Sequence, residues 1–178
     1  MIKIYFADIT DKIESEYDKI GFNKERLKYI SEIKDSLRRL QSVAVWDLLI
    51  KALKKDFGCN NPEFIFDGKK WSLINSTVKF SLSHSNNLVA VAISDEGNIG
   101  VDVEKIDDKI LKAKNLLGEE TSLKCLTKLW TEKEAEFKCG KKENKKIYST
   151  EISDKKNNEY ILSVATDKIN EIPLFIKI

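Results

Sequence analysis

The chain has 178 residues, and its 31 Lys or Arg against 29 Asp or Glu give a net charge of +2. This charge is far below the basicity that sequence-independent nucleic-acid binding usually needs, and no apolar run approaches the ~20 residues of a membrane-spanning helix. Three cysteines without a C-x-x-C pair argue against a disulfide framework and favour a cytoplasmic protein.

The N-terminal part is predicted to form a strand followed by two helices. Residues 2–8 alternate as a strand does and lack the apolar stretch of a signal peptide. Apolar residues then recur at three- and four-residue steps from Asn23, which suits an N-cap, to a stop at Phe57-Gly58. That stretch is too long for one ordinary helix, so we predict a break near Lys34-Asp35.

Short strands and one more helix are predicted for the rest of the chain. The strands are 63–66, 78–83, 88–94 and 99–104, with turns at 86–87 and 95–98, and later 146–152, 159–166 and 174–178. The helix is predicted from about Glu119 to Lys138, and its buried side is marked by Leu123, Leu126, Leu129, Trp130 and Phe137. This order predicts an α+β protein, and the limited similarity of 89–94 to 161–166 suggests a duplication.

Charge is unevenly distributed along the chain. Residues 22–70 contain 11 basic and 7 acidic residues, whereas residues 94–120 contain 4 basic and 8 acidic ones. Solvated faces account for such runs in most proteins. The alternative is a site with a basic side for phosphates and an acidic side for a cation.

The segment Ile99-Gly100-Val101-Asp102-Val103-Glu104 is the strongest local feature. On a strand, Asp102 and Glu104 share one face with Gly100, roughly 6.5–7 Å apart along the chain. We expect the missing side chain of Gly100 to leave room for a ligand there. Hard oxygen donors beside open space suit Mg²⁺ that also reaches a substrate phosphate. The alternative is a solvent-facing edge strand with two exposed acids.

A second feature lies on the late helix, in Trp130-Thr131-Glu132-Lys133-Glu134-Ala135-Glu136-Phe137-Lys138. Helical spacing places Trp130, Lys133, Glu134 and Lys138 on one stripe. The alternative is an ordinary Glu-to-Lys pair beside a core tryptophan, which stabilises a helix by only a few tenths of a kcal/mol.

The third feature is Phe80-Ser81-Leu82-Ser83-His84-Ser85, which contains the only histidine. A serine hydrolase is disfavoured, because neighbouring residues on a strand face opposite ways and no G-x-S-x-G elbow occurs. A zinc site is disfavoured because there is no second His and no paired Cys. His84 either has a structural role or contacts an anion.

In order and spacing, these three features resemble the signature of the 4′-phosphopantetheinyl transferases, Sfp type. The family pairs a (V/I)-G-(V/I)-D-x-E strand with a W-x-x-K-E-(A/S)-x-x-K helix, and this chain fits both. The resemblance is strong from Gly68 to Lys138 and looser towards both ends. It implies two similar α/β lobes with coenzyme A between them, here 1–96 and 97–178.

The resemblance also implies a reaction and residue roles. Members transfer the phosphopantetheine arm of coenzyme A to a serine of a carrier protein and release adenosine 3′,5′-bisphosphate. Asp102, Glu104 and Glu134 are expected to hold Mg²⁺, Glu134 also to act as base, and Lys138, assisted by Lys133, to neutralise the pyrophosphate. Ser83 and His84 are expected to contact the 3′-phosphate of the coenzyme, Lys69 corresponds to the family's basic residue ahead of that strand, and Arg26 and Arg39 are expected to add phosphate contacts.

The sequence departs from the family pattern in places, and alternatives stay open. Gly68-Lys69-Lys70 stands where the family usually has Gly-Lys-Pro, the stretch 105–129 that helps relatives dock the carrier is short, and the C-terminal lobe is trimmed. The expected form is a monomer rather than the trimeric holo-carrier synthase type. The other alternative is a degenerate, non-catalytic module that binds coenzyme A or a carrier. The sequence does not name the acyl or peptidyl carrier.

Overall fold

The computed structural model describes residues 1–113, 122–141 and 144–178, which form nine strands and three α-helices. The strands are β1 (Ile2–Asp8), β2 (Phe64–Phe66), β3 (Trp71–Leu73), β4 (Lys79–Ser85), β5 (Leu88–Ser94), β6 (Ile99–Lys105), β7 (Lys146–Ser153), β8 (Glu159–Thr166) and β9 (Leu174–Lys177). The helices are α1 (Lys24–Glu32), α2 (Ser36–Asp56) and α3 (Leu123–Cys139), and 3₁₀ turns span Glu14–Glu16 and Asp108–Ala113. The predicted α+β class is confirmed. The predicted start of the last helix at Glu119 lies outside the described residues.

Side-chain caps divide the N-terminal helical region where the sequence predicted a break. The Asn23 side chain accepts a hydrogen bond from the backbone of Arg26 at 2.8 Å, which begins α1. The Asp35 side chain accepts one from the backbone of Arg38 at 2.7 Å, which begins α2. Each cap satisfies a backbone donor that the first helical turn leaves free. None of the helices that the structure describes could span a lipid bilayer.

The first sheet has the strand order β4-β5-β1-β9 and is covered on one face by α2. Trp46, Leu49 and Leu53 of α2 are fully buried against this face. β1 pairs with β5 antiparallel and with β9 in parallel. The last strand therefore completes the sheet that contains the first one. The predicted lobe boundary between residues 96 and 97 stays a prediction, and β9 is the strand that crosses it.

The second sheet has the order β6-β8-β7, and helix α3 covers one of its faces. The buried side of this helix contains Leu126 and, towards its C-terminal end, the small residues Thr131, Ala135 and Cys139. The prediction that Phe137 lies on the buried side is wrong, since it is 81% exposed. Phe137 lies on the solvent side of the helix, whereas Ala135 and Cys139 are the residues that face the sheet at this end.

The opposite faces of the two sheets pack against each other. One buried cluster contains Ile4 and Ala90 of the first sheet together with Val101, Val103 and Leu162 of the second. The predicted alternation of β6 is confirmed, because Ile99, Val101 and Val103 all enter this core. This packing places β6 beside β4, so the two strands with the candidate residues are neighbours.

Candidate active site

Gly100 lies under helix α3 and does not open onto a ligand. A Cβ atom built on Gly100 would be 2.5 Å from the backbone nitrogen of Cys139 and 3.0 Å from the carbonyl carbon of Lys138, and the carbonyl oxygen of Ala135 is nearer still. The expectation that Gly100 leaves room for a ligand is therefore wrong. The glycine lets the helix backbone approach the strand, and so places Lys138 next to Asp102.

Asp102 is a buried carboxylate with one oxygen satisfied and the other unpaired. Its side chain accepts hydrogen bonds at Oδ1 from Ser83 Oγ at 2.9 Å and from Lys138 Nζ at 2.7 Å. Its Oδ2 is buried and has no hydrogen-bond partner among the described residues. Burial raises the pKa of Asp102, and Lys138 and Ser83 oppose that rise. Asp102 is only 4% exposed, so the alternative of two solvent-exposed acids on an edge strand is wrong.

Glu104 lies two residues further along the same strand and is half-buried. It accepts a hydrogen bond at Oε2 from Ser85 Oγ at 2.7 Å. Burial raises the pKa of Glu104 to about 6, and the negative charge of Asp102 adds to the rise. The two acids thus form a desolvated pair, which a cation would stabilise.

Helix α3 brings one of its three expected residues into direct contact with this pair. The Lys138 ammonium contacts Asp102 and donates to the carbonyl oxygen of Val101 at 3.1 Å. Glu134 is half-buried one turn earlier, and Lys133 is exposed. Among the described residues no ion pair joins Glu134 to Lys138, so the alternative of an ordinary pair along the helix surface does not describe this lysine.

A cavity of about 590 Å³ opens beside Glu104 and is lined by His84, Arg38 and Trp130. Three lysines also line it, namely Lys105, Lys109 and Lys112. Although His84 is exposed, partial desolvation lowers its pKa, and the positive charges of Lys138 and Arg38 lower it further. An anion in this cavity would relieve that repulsion.

A second cavity, of about 380 Å³, brings together Arg26 and Lys69 with three aromatic residues, Tyr29, Phe66 and Trp71. Arg26 is 5% exposed, and its Nη2 donates a hydrogen bond to Ser42 Oγ at 2.7 Å. Its Nε is buried and has no hydrogen-bond partner among the described residues. Burial lowers the pKa of Arg26 to about 10. Aromatic walls with a guanidinium and an ammonium group suit a flat, anionic ligand.

Two of the residues expected at phosphates have other contacts in this structure. Arg39 forms an ion pair with Glu14 at 2.8 Å and donates to the carbonyl oxygen of Ile33 at 3.1 Å. Its neighbour Arg38, which sequence reasoning missed, lines the His84 cavity instead. Adjacent helix residues point about 100° apart, and no signal in the sequence shows which of the two arginines faces this cavity. The Ser83 hydroxyl contacts Asp102 rather than opening onto either cavity.

The donor set of the site fits a hard divalent cation. Mg²⁺ is usually held by one or two carboxylates together with waters and substrate phosphates, and Asp102 Oδ2 is a buried carboxylate oxygen without a partner in the described chain. Within residues 1–113, 122–141 and 144–178, no three His, Cys, Asp or Glu side chains are close enough to hold one ion together. The structure therefore does not bring Glu134 into one cluster with Asp102 and Glu104, and its role as a ligand stays a prediction.

Comparison with known proteins relates the chain to transferases of the group that its motifs resemble. No family model matches the chain. It is 30% identical over 122 residues to 4′-phosphopantetheinyl transferase AcpT of Salmonella typhi, and equally to that of Salmonella typhimurium. Each match covers 60% of this chain and 61% of the relative, so the chain spans about three fifths of the length of these curated relatives. The chain is thus similar to 4′-phosphopantetheinyl transferases in general, and the similarity does not single out the Sfp type.

Proposed function

We propose that the protein transfers the 4′-phosphopantetheine arm of coenzyme A to a serine of an apo carrier protein, acyl or peptidyl. The observation that carries this proposal is the contact between the two best motifs, since Lys138 of helix α3 meets the buried Asp102 of β6 at 2.7 Å. The similarity to AcpT supports the same reaction class. The enzyme of this proposal is monomeric and of the two-lobed Sfp type.

In the proposed reaction the carrier serine oxygen attacks the pyrophosphate phosphorus that bears the pantetheine. A new P–O ester bond forms, and the bond from that phosphorus to the bridging oxygen breaks. The bond electrons leave with adenosine 3′,5′-bisphosphate, and the serine proton passes to Glu134 directly or through a water. Lys138, assisted by Lys133, stabilises the charge that grows on the leaving phosphate.

A magnesium ion would be held by Asp102 and Glu104, with Glu134 as the third expected ligand. When bound, it supplies positive charge against the pyrophosphate and offsets the repulsion of the carboxylates. In this structure Lys138 contacts Oδ1 of Asp102, and Oδ2 of the same carboxylate is unpaired among the described residues. A cation on Asp102 would leave the ammonium available to the pyrophosphate.

The two cavities support the division of coenzyme A into a nucleotide end and a reacting end. Arg26 and Lys69 stand among aromatic residues, which suits a base and a phosphate. His84 lines the cavity that contains Glu104, which suits the phosphates nearer the metal. Within this proposal, His84 and Lys69 both contact phosphate oxygens of the coenzyme. The resemblance implies the 3′-phosphate for His84, whereas its place in a different cavity from Lys69, beside Glu104, favours the phosphates nearer the metal.

Intact mass spectrometry of candidate apo carriers tests the proposal. Each carrier is incubated with the protein, coenzyme A and Mg²⁺, and the expected product has gained one phosphopantetheine group. Acyl and peptidyl carriers are tested side by side, because neither the sequence nor the fold names the partner. Binding of coenzyme A without any transfer in a single-turnover assay would instead indicate the non-catalytic binding module.

A further inference from the structure

Serine hydroxyls join β4 to β6 across the junction of the two sheets. β4 is an edge strand of the first sheet, and β6 is an edge strand of the second. Alternate serines of β4 accept hydrogen bonds from alternate backbone N–H groups of β6. The pairs are Ser81 with Val101 at 3.1 Å, Ser83 with Val103 at 3.2 Å, and Ser85 with Lys105 at 3.2 Å.

Two of these serines also donate their only hydroxyl proton to a carboxylate. Ser83 donates to Asp102 at 2.9 Å, and Ser85 donates to Glu104 at 2.7 Å. Ser81 occupies the equivalent place next to Gly100, where β6 has no acid. The same junction therefore contains two serines that contact the acids and one that does not.

We propose that Ser83 and Ser85 are positioning residues, which orient the carboxylates of Asp102 and Glu104 for a divalent cation, and that Ser83 does not contact the coenzyme's 3′-phosphate. This inference rests on the proposed function for the cation and its substrate. A phosphate oxygen needs a donor, and Ser83 has one proton, which Asp102 already accepts. Ser83 is also buried, with 7% exposure, and so faces the strand rather than solvent.

The hydrogen bond from the Ser83 hydroxyl to Asp102 becomes most important if Lys138 moves away from Asp102. Asp102 Oδ1 has two donors in this structure, Ser83 and Lys138, and Oδ2 has none among the described residues. If Lys138 turns to the pyrophosphate, Ser83 is the donor that still holds the carboxylate in place. Groups that hydrogen-bond metal ligands in this way typically change metal affinity by about 10- to 100-fold when removed.

The first measurement is Mn²⁺ binding, used as a probe for Mg²⁺ and followed by calorimetry with and without coenzyme A. Ser83→Ala is expected to weaken binding by about 10- to 100-fold, and Ser85→Ala to weaken it in the same direction. Ser81→Ala is the matched control, because it removes an equivalent junction contact without touching an acid. It should leave Mn²⁺ affinity at the value of the parent protein.

The second measurement compares coenzyme A with dephospho-coenzyme A, which lacks the 3′-phosphate, in the transfer assay. A positioning role predicts that Ser83→Ala lowers kcat by the same factor with both substrates. A KM increase for coenzyme A that disappears with dephospho-coenzyme A would overturn the proposal, because it would place Ser83 at that phosphate.

The two measurements separate this inference from the proposed function. A parent protein that binds Mn²⁺ but transfers nothing contradicts the proposed function, and the Mn²⁺ series still tests the serines. Equal loss of Mn²⁺ affinity in Ser81→Ala and Ser83→Ala would overturn the positioning role and indicate a general loosening of the junction. Absence of Mn²⁺ binding by the parent, with and without coenzyme A, would overturn it as well.

Discussion

Replacing Gly100 with alanine places a Cβ atom against the backbone of helix α3. This Cβ would lie 2.5 Å from the nitrogen of Cys139 and nearer still to the carbonyl oxygen of Ala135, both below the 3.4 Å at which ordinary contacts begin, so the helix must retreat by at least about 1 Å. Overpacking of this kind costs typically 1–3 kcal/mol. For a chain of this size that lowers Tm by about 2–12 °C.

The same retreat moves the helix residues that the proposed reaction uses. Glu134 and Lys138 both lie on α3, and a displacement of about 1 Å can cost about 100-fold in rate. Differential scanning calorimetry measures the loss of stability, and the carrier assay measures the loss of transfer. Gly100→Val should lose more stability and more transfer activity than Gly100→Ala. Ala135→Gly should not restore the alanine variant, because the Ala135 atom in the way is the carbonyl oxygen. A Tm of Gly100→Ala equal to that of the parent would refute the close approach.

Three further predictions concern charged groups, two in the site and one in the basic segment 22–70. His84 is the only histidine, so NMR reads its titration directly: its pKa should lie below 6.5 and rise in Lys138→Met, because desolvation and then Lys138 lower it. Because the pKa of His84 is lowered in the folded state, the unfolded chain binds a proton at this imidazole more readily than the folded protein does. The stability that neutral His84 contributes is therefore present above pH 6.5 and is lost as the pH falls through the folded pKa. An NMR titration midpoint of His84 at or above 6.5 in the parent protein would contradict this. Glu134→Gln should abolish nearly all transfer with coenzyme A binding retained, and Lys138→Met should lower kcat more than coenzyme affinity; full activity in either variant would contradict their proposed roles. If the carrier presents an acidic helix to the basic segment 22–70, kcat/KM for the carrier should fall from low to physiological salt, whereas a flat profile would point to apolar contacts.

The elements with local signals are those that sequence reasoning predicted well. The cap at Asn23 and the break near Asp35 were predicted, and both rest on hydrogen bonds that span three residues, so neither depends on distant parts of the chain. The strand 88–94 is predicted with the same bounds as β5. β3 was missed, because three residues are too few to show alternation.

The sequence singled out Asp102, Glu104 and Lys138, and the structure brings Lys138 onto Asp102, but the serines that contact the two acids were not predicted. Asp102 and Glu104 share a face because side chains alternate along any strand. Sequence patterns do not show which neighbouring strand supplies donors to that face. Arg38 rather than Arg39 lines the cavity. Adjacent helix residues point about 100° apart, and only the packing of α2 against the rest of the protein decides which of the two faces it.

The sequence by itself determined the α+β class, the cap at Asn23, the break between the first two helices, the inward face of β6 and the three motifs that resemble the transferases. Periodicity and capping are local interactions, and they are encoded within a few residues. Only the tertiary structure decided that Gly100 receives helix α3, that the serines of β4 contact the acids of β6, and that β9 pairs with β1. These three contacts join residues far apart in the chain. The serine contacts form because two sheets bury a common apolar face, which brings the edge strands β4 and β6 together. The other two depend on how α3 packs on the second sheet and how β9 joins the first.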